Sequence, residues 1–177
     1  MPKLLVVFHG GADDDRGALP QGAASRAPSR MRTLADAAAD GAASVRFTEV
    51  DVRAVDVHVS ARDYDGVLIV VPTRGELPSE LDAFLSSLER EQPVDAFLNT
   101  VFAVAGEDLT APAALTALVS RVARLGGIIV SEPRGHHTAS SEERARVTGK
   151  RAAKVIEWVR HGLGHEHAHA THSHHHH

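Results

Sequence analysis

A chain of 177 residues, 43% hydrophobic and 24% charged, favours one globular domain large enough to bury a core. Its net charge of −4 excludes a general basic field for nucleic acid, and no apolar run approaches the length of a membrane span. The absence of cysteine excludes disulfides, thiolate metal sites and Cys nucleophiles; with no leader-like pattern in Met1–Phe8, the expected compartment is the cytoplasm.

Leu4 to Phe8 is a continuous apolar run and predicts a first buried strand, closed by His9-Gly10-Gly11. Residues 10–27 are rich in Gly, Ala and Asp and read as a long loop. Ser29 is an N-cap for a helix with Met31, Leu34, Ala35 and Ala38 on one face, stopped by Asp40-Gly41. Val45 to Val52 alternates, with one slip of phase, and predicts a second strand nearer an edge. Residues 53–65 form a polar connector in which Val55, Val57 and Val59 offer a short extra strand. Val67 to Val71 is aliphatic without a break, which predicts a strand buried on both faces. Pro72 ends it, because proline has no N–H for a central ladder. Thr73-Arg74-Gly75 is a short polar loop before a helix whose apolar face is Leu81, Phe84, Leu85 and Leu88.

After a connector at 89–97, Thr100 to Ala105 predicts a fourth strand, ended by Gly106-Glu107-Asp108. Thr110 caps a helix with Pro112 in its first turn and Leu115, Leu118, Val119 and Val122 on its apolar face; Gly126-Gly127 stops it. Ile128 to Val130 is the last strand. Ser140-x-x-Glu143 is a capping box for a final helix running to about His161, with Ala152, Val155, Ile156 and Val159 facing inward. Short apolar runs alternating with amphipathic helices predict a three-layer α/β domain over residues 1–162, with a five-stranded parallel sheet in the flavodoxin-like order 2-1-3-4-5. In such sheets ligands bind outside the carboxyl ends of the strands, at the loops after strands one, three and four. Residues 163–177 read as a disordered histidine-rich tail.

Asp63-Tyr64-Asp65-Gly66, the aliphatic run, Pro72-Thr73-Arg74, Gly75 and the Leu81/Phe84-Leu85 helix resemble the WrbA-type flavodoxin-like NAD(P)H:quinone oxidoreductases. The specific similarity covers residues 63–85; the agreement in element order covers residues 3 to about 160. The resemblance implies FMN at three convergent loops, a nicotinamide nucleotide and a quinone as substrates, and assembly as a homo-oligomer. It places Thr73, Arg74, Gly75 and Glu76 beside the flavin ring, Ala105, Gly106 and Glu107 in the third loop, and His9, Gly10 and Gly11 in the first. That first loop departs from the family's hydroxyl-rich phosphate cradle: it continues with Asp13, Asp14 and Asp15, whose charge repels a phosphate. The aromatic residue that the family has after Pro-Thr-Arg is also missing.

Other patterns compete. His9-Gly10-Gly11 after a strand resembles the oxyanion-hole segment of α/β-hydrolases, but the chain has no G-x-S-x-G nucleophile elbow. The same His-Gly is similar to the start of sirohydrochlorin chelatases, with His58, His136 and His137 as candidates for a second histidine. Asp13-Asp14-Asp15 suits Mg²⁺ or Ca²⁺, or is simply a solvated acidic loop. The tail carries His165, His167, His169, His172, His174, His175, His176 and His177, eight of the thirteen histidines. Imidazoles in that number suit a divalent transition metal. Two functions follow as expectations: an FMN-dependent oxidoreductase, or a flavodoxin-like protein without FMN that binds partners or handles metal through its tail.

Overall fold

A computed structural model describes residues 1–10, 29–55, 59–72, 77–90, 96–106, 112–130 and 139–170, without the side chains of 112–115 and 163–170. Five strands, β1 (Lys3–Phe8), β2 (Glu49–Ala54), β3 (Gly66–Val71), β4 (Val101–Gly106) and β5 (Ile128–Val130), pair in parallel in the order β2-β1-β3-β4-β5. Four helices accompany them: α1 (Arg30–Ala43), α2 (Ser79–Arg90), α3 (Pro112–Arg124) and α4 (Ser141–Ala170).

The central strands are apolar throughout because both faces of the sheet are covered. Leu4, Val6, Phe8, Leu68, Val70, Ala103 and Ala105 turn to one side, where α1 and α4 pack. Leu5, Val7, Val67, Ile69, Val71, Phe102 and Val104 turn to the other, beneath Leu81, Phe84, Leu85, Leu88, Leu118 and Val122 of α2 and α3. This is the two-residue alternation of a strand, with apolar residues required at every position. β2 is one edge of the sheet and β5 the other, and the residues of β2 alternate between exposed and half-buried.

The first side is built from small residues. Ala35, Ala38, Gly41 and Ala42 of α1 meet Ala145, Gly149, Ala152 and Ala153 of α4. A Cβ on Gly41 would lie 1.9 Å from the Arg146 carbonyl oxygen, and one on Gly149 would lie 1.9 Å from that of Ala38. The two helix backbones therefore touch at two points where any side chain would hold them apart.

Several boundaries differ from expectation. Gly41 does not stop α1; the helix runs on to Ala43, and the glycine is kept for the crossing with α4. β2 starts at Glu49 rather than Val45, because Phe47 has a φ of 62°, which breaks an extended backbone. Val45 is still buried, but from a turn rather than a strand. Val55 and Val59 enter the second core, and Val57 between them lies outside the described residues. α4 continues nine residues beyond His161, to Ala170. Two of the expected caps are present: the backbone N–H of Arg32 donates to Ser29 Oγ (3.2 Å), and that of Glu143 donates to Ser140 Oγ (3.2 Å), while Thr110 lies outside the described residues. The reciprocal half of the second capping box is not used, since the Glu143 carboxylate accepts from Arg146 Nη1 at 2.6 Å.

Candidate functional site

Strand register decides which residues meet at the carboxyl edge. Phe8 pairs with Val70, Val70 with Ala105, and Val71 with Gly106. His9-Gly10, Pro72 and Ala105-Gly106 therefore emerge side by side, with about 10 Å of sheet between the ends of β1 and β4. β1 lies between β2 and β3, so its following helix and that of β3 leave toward opposite faces and open a crevice between them.

Two helix starts border this crevice. On one side, the Arg32 guanidinium in the first turn of α1 lies 5.6 Å from the centre of the Phe8 ring and is held by both oxygens of Asp36 (2.9 and 3.1 Å). Arg30 is drawn away to α4, where Nη1 donates to Glu142 Oε1 at 2.6 Å. On the other side, Glu80 in the first turn of α2 brings Oε2 to 3.5 Å from His9 Nδ1. This is a charge contact and not a hydrogen bond: His9 Nδ1 is shut off from solvent and has no hydrogen-bond partner among the described residues. The Glu80 carboxyl is held below the usual carboxylate range, first by its own backbone N–H, then by the Ser79 hydroxyl, which donates to Oε2 at 3.1 Å, and also by the His9 imidazole.

Gly10 is half-buried and Ala105 and Gly106 are buried at the strand ends, and the first turn of the 14-residue helix α1, which reaches Phe8 through Arg32, is an end suited to an anion. A buried imidazole nitrogen with no hydrogen-bond partner among the described residues is a polar atom open to one from outside them.

Of the residues singled out from the sequence, His9, Gly10, Ala105 and Gly106 come together at this edge. Gly11, Thr73, Arg74, Gly75, Glu76 and Glu107 lie outside the described residues, as do Asp13, Asp14, Asp15, His58, His136, His137, His172, His174, His175, His176 and His177. His165, His167 and His169 lie on the continuation of α4. Among the described residues no group of three or more His, Asp or Glu side chains gathers as a metal site. No helix among them is long and apolar enough to cross a membrane. Sequence reasoning missed Arg32 and Glu80. Their signal was position: each stands in the first turn of a helix that follows a buried strand.

The sequence matches no protein-family model and no curated protein. Solved structures do match over nearly the whole domain. The WrbA-like flavodoxin of Agrobacterium tumefaciens superposes with a TM-score of 0.59 at 19% identity, covering 89% of this chain and 99% of its own. Flavodoxin 1 of Bacillus cereus gives 0.56 at 18%, covering 86% and 97%. The Fusobacterium nucleatum flavodoxin, solved bound to flavin mononucleotide, gives 0.53 at 14%, covering 92% and 99%. The chain thus has the flavodoxin-like fold, in the strand order expected from its sequence.

Proposed function

We propose that this flavodoxin-like chain binds FMN and passes hydride from a nicotinamide nucleotide to a quinone or similar acceptor. The observation that carries the reading is the convergence of His9-Gly10, Pro72 and Ala105-Gly106 at one edge, beside a buried imidazole nitrogen that has no hydrogen-bond partner among the described residues. When bound, the flavin supplies the hydride chemistry; the protein supplies position and charge. Gly10, Gly11 and the N-terminus of α1 hold the phosphate, and Arg32 adds positive charge on that side. Thr73, Arg74, Gly75 and Glu76 flank the ring from one loop, and Ala105, Gly106 and Glu107 from the other, leaving an open face for each substrate in turn. His9 donates or accepts at Nδ1, oriented by Glu80. The protein acts as a homo-oligomer in the cytoplasm.

The test is direct. The full-length protein is mixed with FMN, desalted, and examined for bound yellow chromophore with quenched emission. Bound flavin that NAD(P)H bleaches and a quinone restores supports the reading. No retention at about 50 µM FMN, where a flavodoxin-type site would be filled, ends it. His9→Ala weakens retention; an unchanged affinity removes His9 from the site.

A second reading has its own observation. Because α4 runs to Ala170, His165 and His169 belong to one helix, four residues apart in sequence. A chain without FMN would then handle metal through residues 163–177. Equilibrium dialysis of the intact protein and a chain ending at Gly162 separates the two: metal uptake confined to the intact protein, with no flavin retention by either, favours the second reading.

A further inference from the structure

The amino end of the sheet, opposite the crevice, carries a second cavity of about 250 Å³ lined by Pro2, Arg46, Phe47, Glu157, Arg160 and His161. Three stretches far apart in sequence form it: the approach to β1, the turn between α1 and β2, and α4 at residues 157–161.

Phe47 is the anomaly there. Its φ of 62° is a left-handed conformation that costs a bulky residue backbone energy, and it is the one non-glycine residue of positive φ among those described. Its side chain is also 72% exposed, so it recovers little of that cost by burial. A glycine would serve the turn better. A strained, exposed aromatic ring on the wall of a cavity points to a ligand that covers it.

The charges define that ligand. Arg160 is already fixed: Nη1 donates to Met1 O (3.1 Å) and to Asp65 Oδ2 (2.9 Å). Arg46 has no hydrogen bond or ion pair among the described residues, although it lines the same cavity. Glu157 likewise has no ion pair among them, and His161 lies one turn further along the helix. The cavity is smaller than the usual 300 Å³ or more of a drug-sized site, so it holds about one ring with short substituents.

We propose that this cavity binds a small aromatic carboxylate bearing a hydrogen-bond donor. The ring lies on Phe47, the carboxylate pairs with Arg46 beside Arg160 and His161, and the donor reaches the Glu157 carboxylate. The site is independent of flavin binding, which belongs to the other end of the sheet.

The probe is 4-hydroxybenzoate, titrated into the ¹⁵N-labelled full chain and followed by amide shifts. Saturable shifts at residues 46–48 and 157–161, with an affinity about tenfold weaker in each of Phe47→Gly and Arg46→Gln, are expected. Phe47→Gly keeps the fold, because glycine suits a positive φ, and its melting temperature should equal or exceed that of the parent. Acetate, which lacks the ring, and 4-hydroxybenzyl alcohol, which lacks the charge, should leave these amides unshifted. The proposal is overturned by no saturation at about 20 mM, by shifts confined to the carboxyl ends of β1, β3 and β4, by unchanged affinity in both variants, or by equal binding of either control.

Discussion

Replacing Gly149 by alanine should destabilise this protein strongly although it adds one methyl group and improves helix propensity. The new Cβ would sit 1.9 Å from the Ala38 carbonyl oxygen, 2.7 Å from its carbon and 3.1 Å from its Cα, all backbone atoms that cannot rotate away. Relief requires moving α4 from α1 by more than 1 Å, since a carbon and an oxygen in contact need about 3.2 Å. That movement loosens Leu34, Ala38, Ala145, Ala152 and Ala153, which are now 0–1% exposed. Overpacking of this kind costs about 1–3 kcal/mol or more, against a gain of about 1 kcal/mol from exchanging glycine for alanine in a helix. Because the clash is with rigid backbone, the upper part of the range applies, leaving a net loss of about 2 kcal/mol or more and a melting temperature lower by about 4–8 °C. Gly41→Ala should act alike, through the Arg146 carbonyl. Gly162→Ala, on the same helix as Gly149 but with nothing within 4 Å of its added Cβ, should instead raise stability by about 0.5–1 kcal/mol. Thermal unfolding followed by circular dichroism reads all three. If Gly149→Ala and Gly162→Ala shift the midpoint in the same direction, the close crossing of α1 and α4 is wrong.

The remaining predictions concern polar contacts. Arg121 of α3 is only 15% exposed and ties α3 to α2, donating to Glu89 Oε1 (3.1 Å), Glu89 Oε2 (3.0 Å), Ser86 Oγ (2.8 Å) and the Asp82 carboxylate. Arg121→Gln should cost about 1–3 kcal/mol at neutral pH by urea unfolding. The Arg121 hydrogen bond is the chief cause holding the Glu89 carboxyl below its ordinary value, so this contribution is present above the usual carboxylate range and lost as pH falls through the lowered value. Parent and variant should therefore converge in acid; a constant gap would refute the linkage. Tyr64, the chain's single tyrosine, is raised above the ordinary phenol value by burial and then by its hydrogen bond to Asp51 Oδ2 (2.5 Å), so its phenolate absorbance should appear at higher pH than free tyrosine and move down in Asp51→Asn. Ser29→Ala and Ser140→Ala each remove a cap and should each cost about 1 kcal/mol, additively, because different helices are involved.

Much of the fold is legible in residues that admit one reading. Leu4 to Phe8 and Val67 to Val71 are too short and too uniformly apolar for anything but strands covered on both sides, and they become β1 and β3. Leu81, Phe84, Leu85 and Leu88 repeat at helical spacing, and all four are buried in α2. The errors fall where a residue obeys a contact rather than its own preference. Gly41 reads as a stop, yet a neighbouring backbone needs its bare Cα. Val45 is apolar and in phase for a strand, but the left-handed turn at Phe47 stands between it and β2. The edge that carries the candidate site was legible, because the parallel order follows from alternating elements; its charged neighbours Arg32 and Glu80 were marked only by their place in the first turn of a helix, and their contacts with Phe8 and His9 depend on the packing of those helices.

Periodicity and turn chemistry, both local properties, are what the amino-acid order alone determines here: the elements, their sequence, the parallel sheet and the end of it where a ligand belongs. Tertiary structure alone decided which distant groups face one another. It set the His9 imidazole against Glu80, carried Arg30 away from the crevice to Glu142, and anchored Arg160 on Asp65 beside the cavity of Phe47. Such pairings depend on strand register and helix crossing, which arise only when the buried faces pack together, and so no stretch of the chain encodes them by itself.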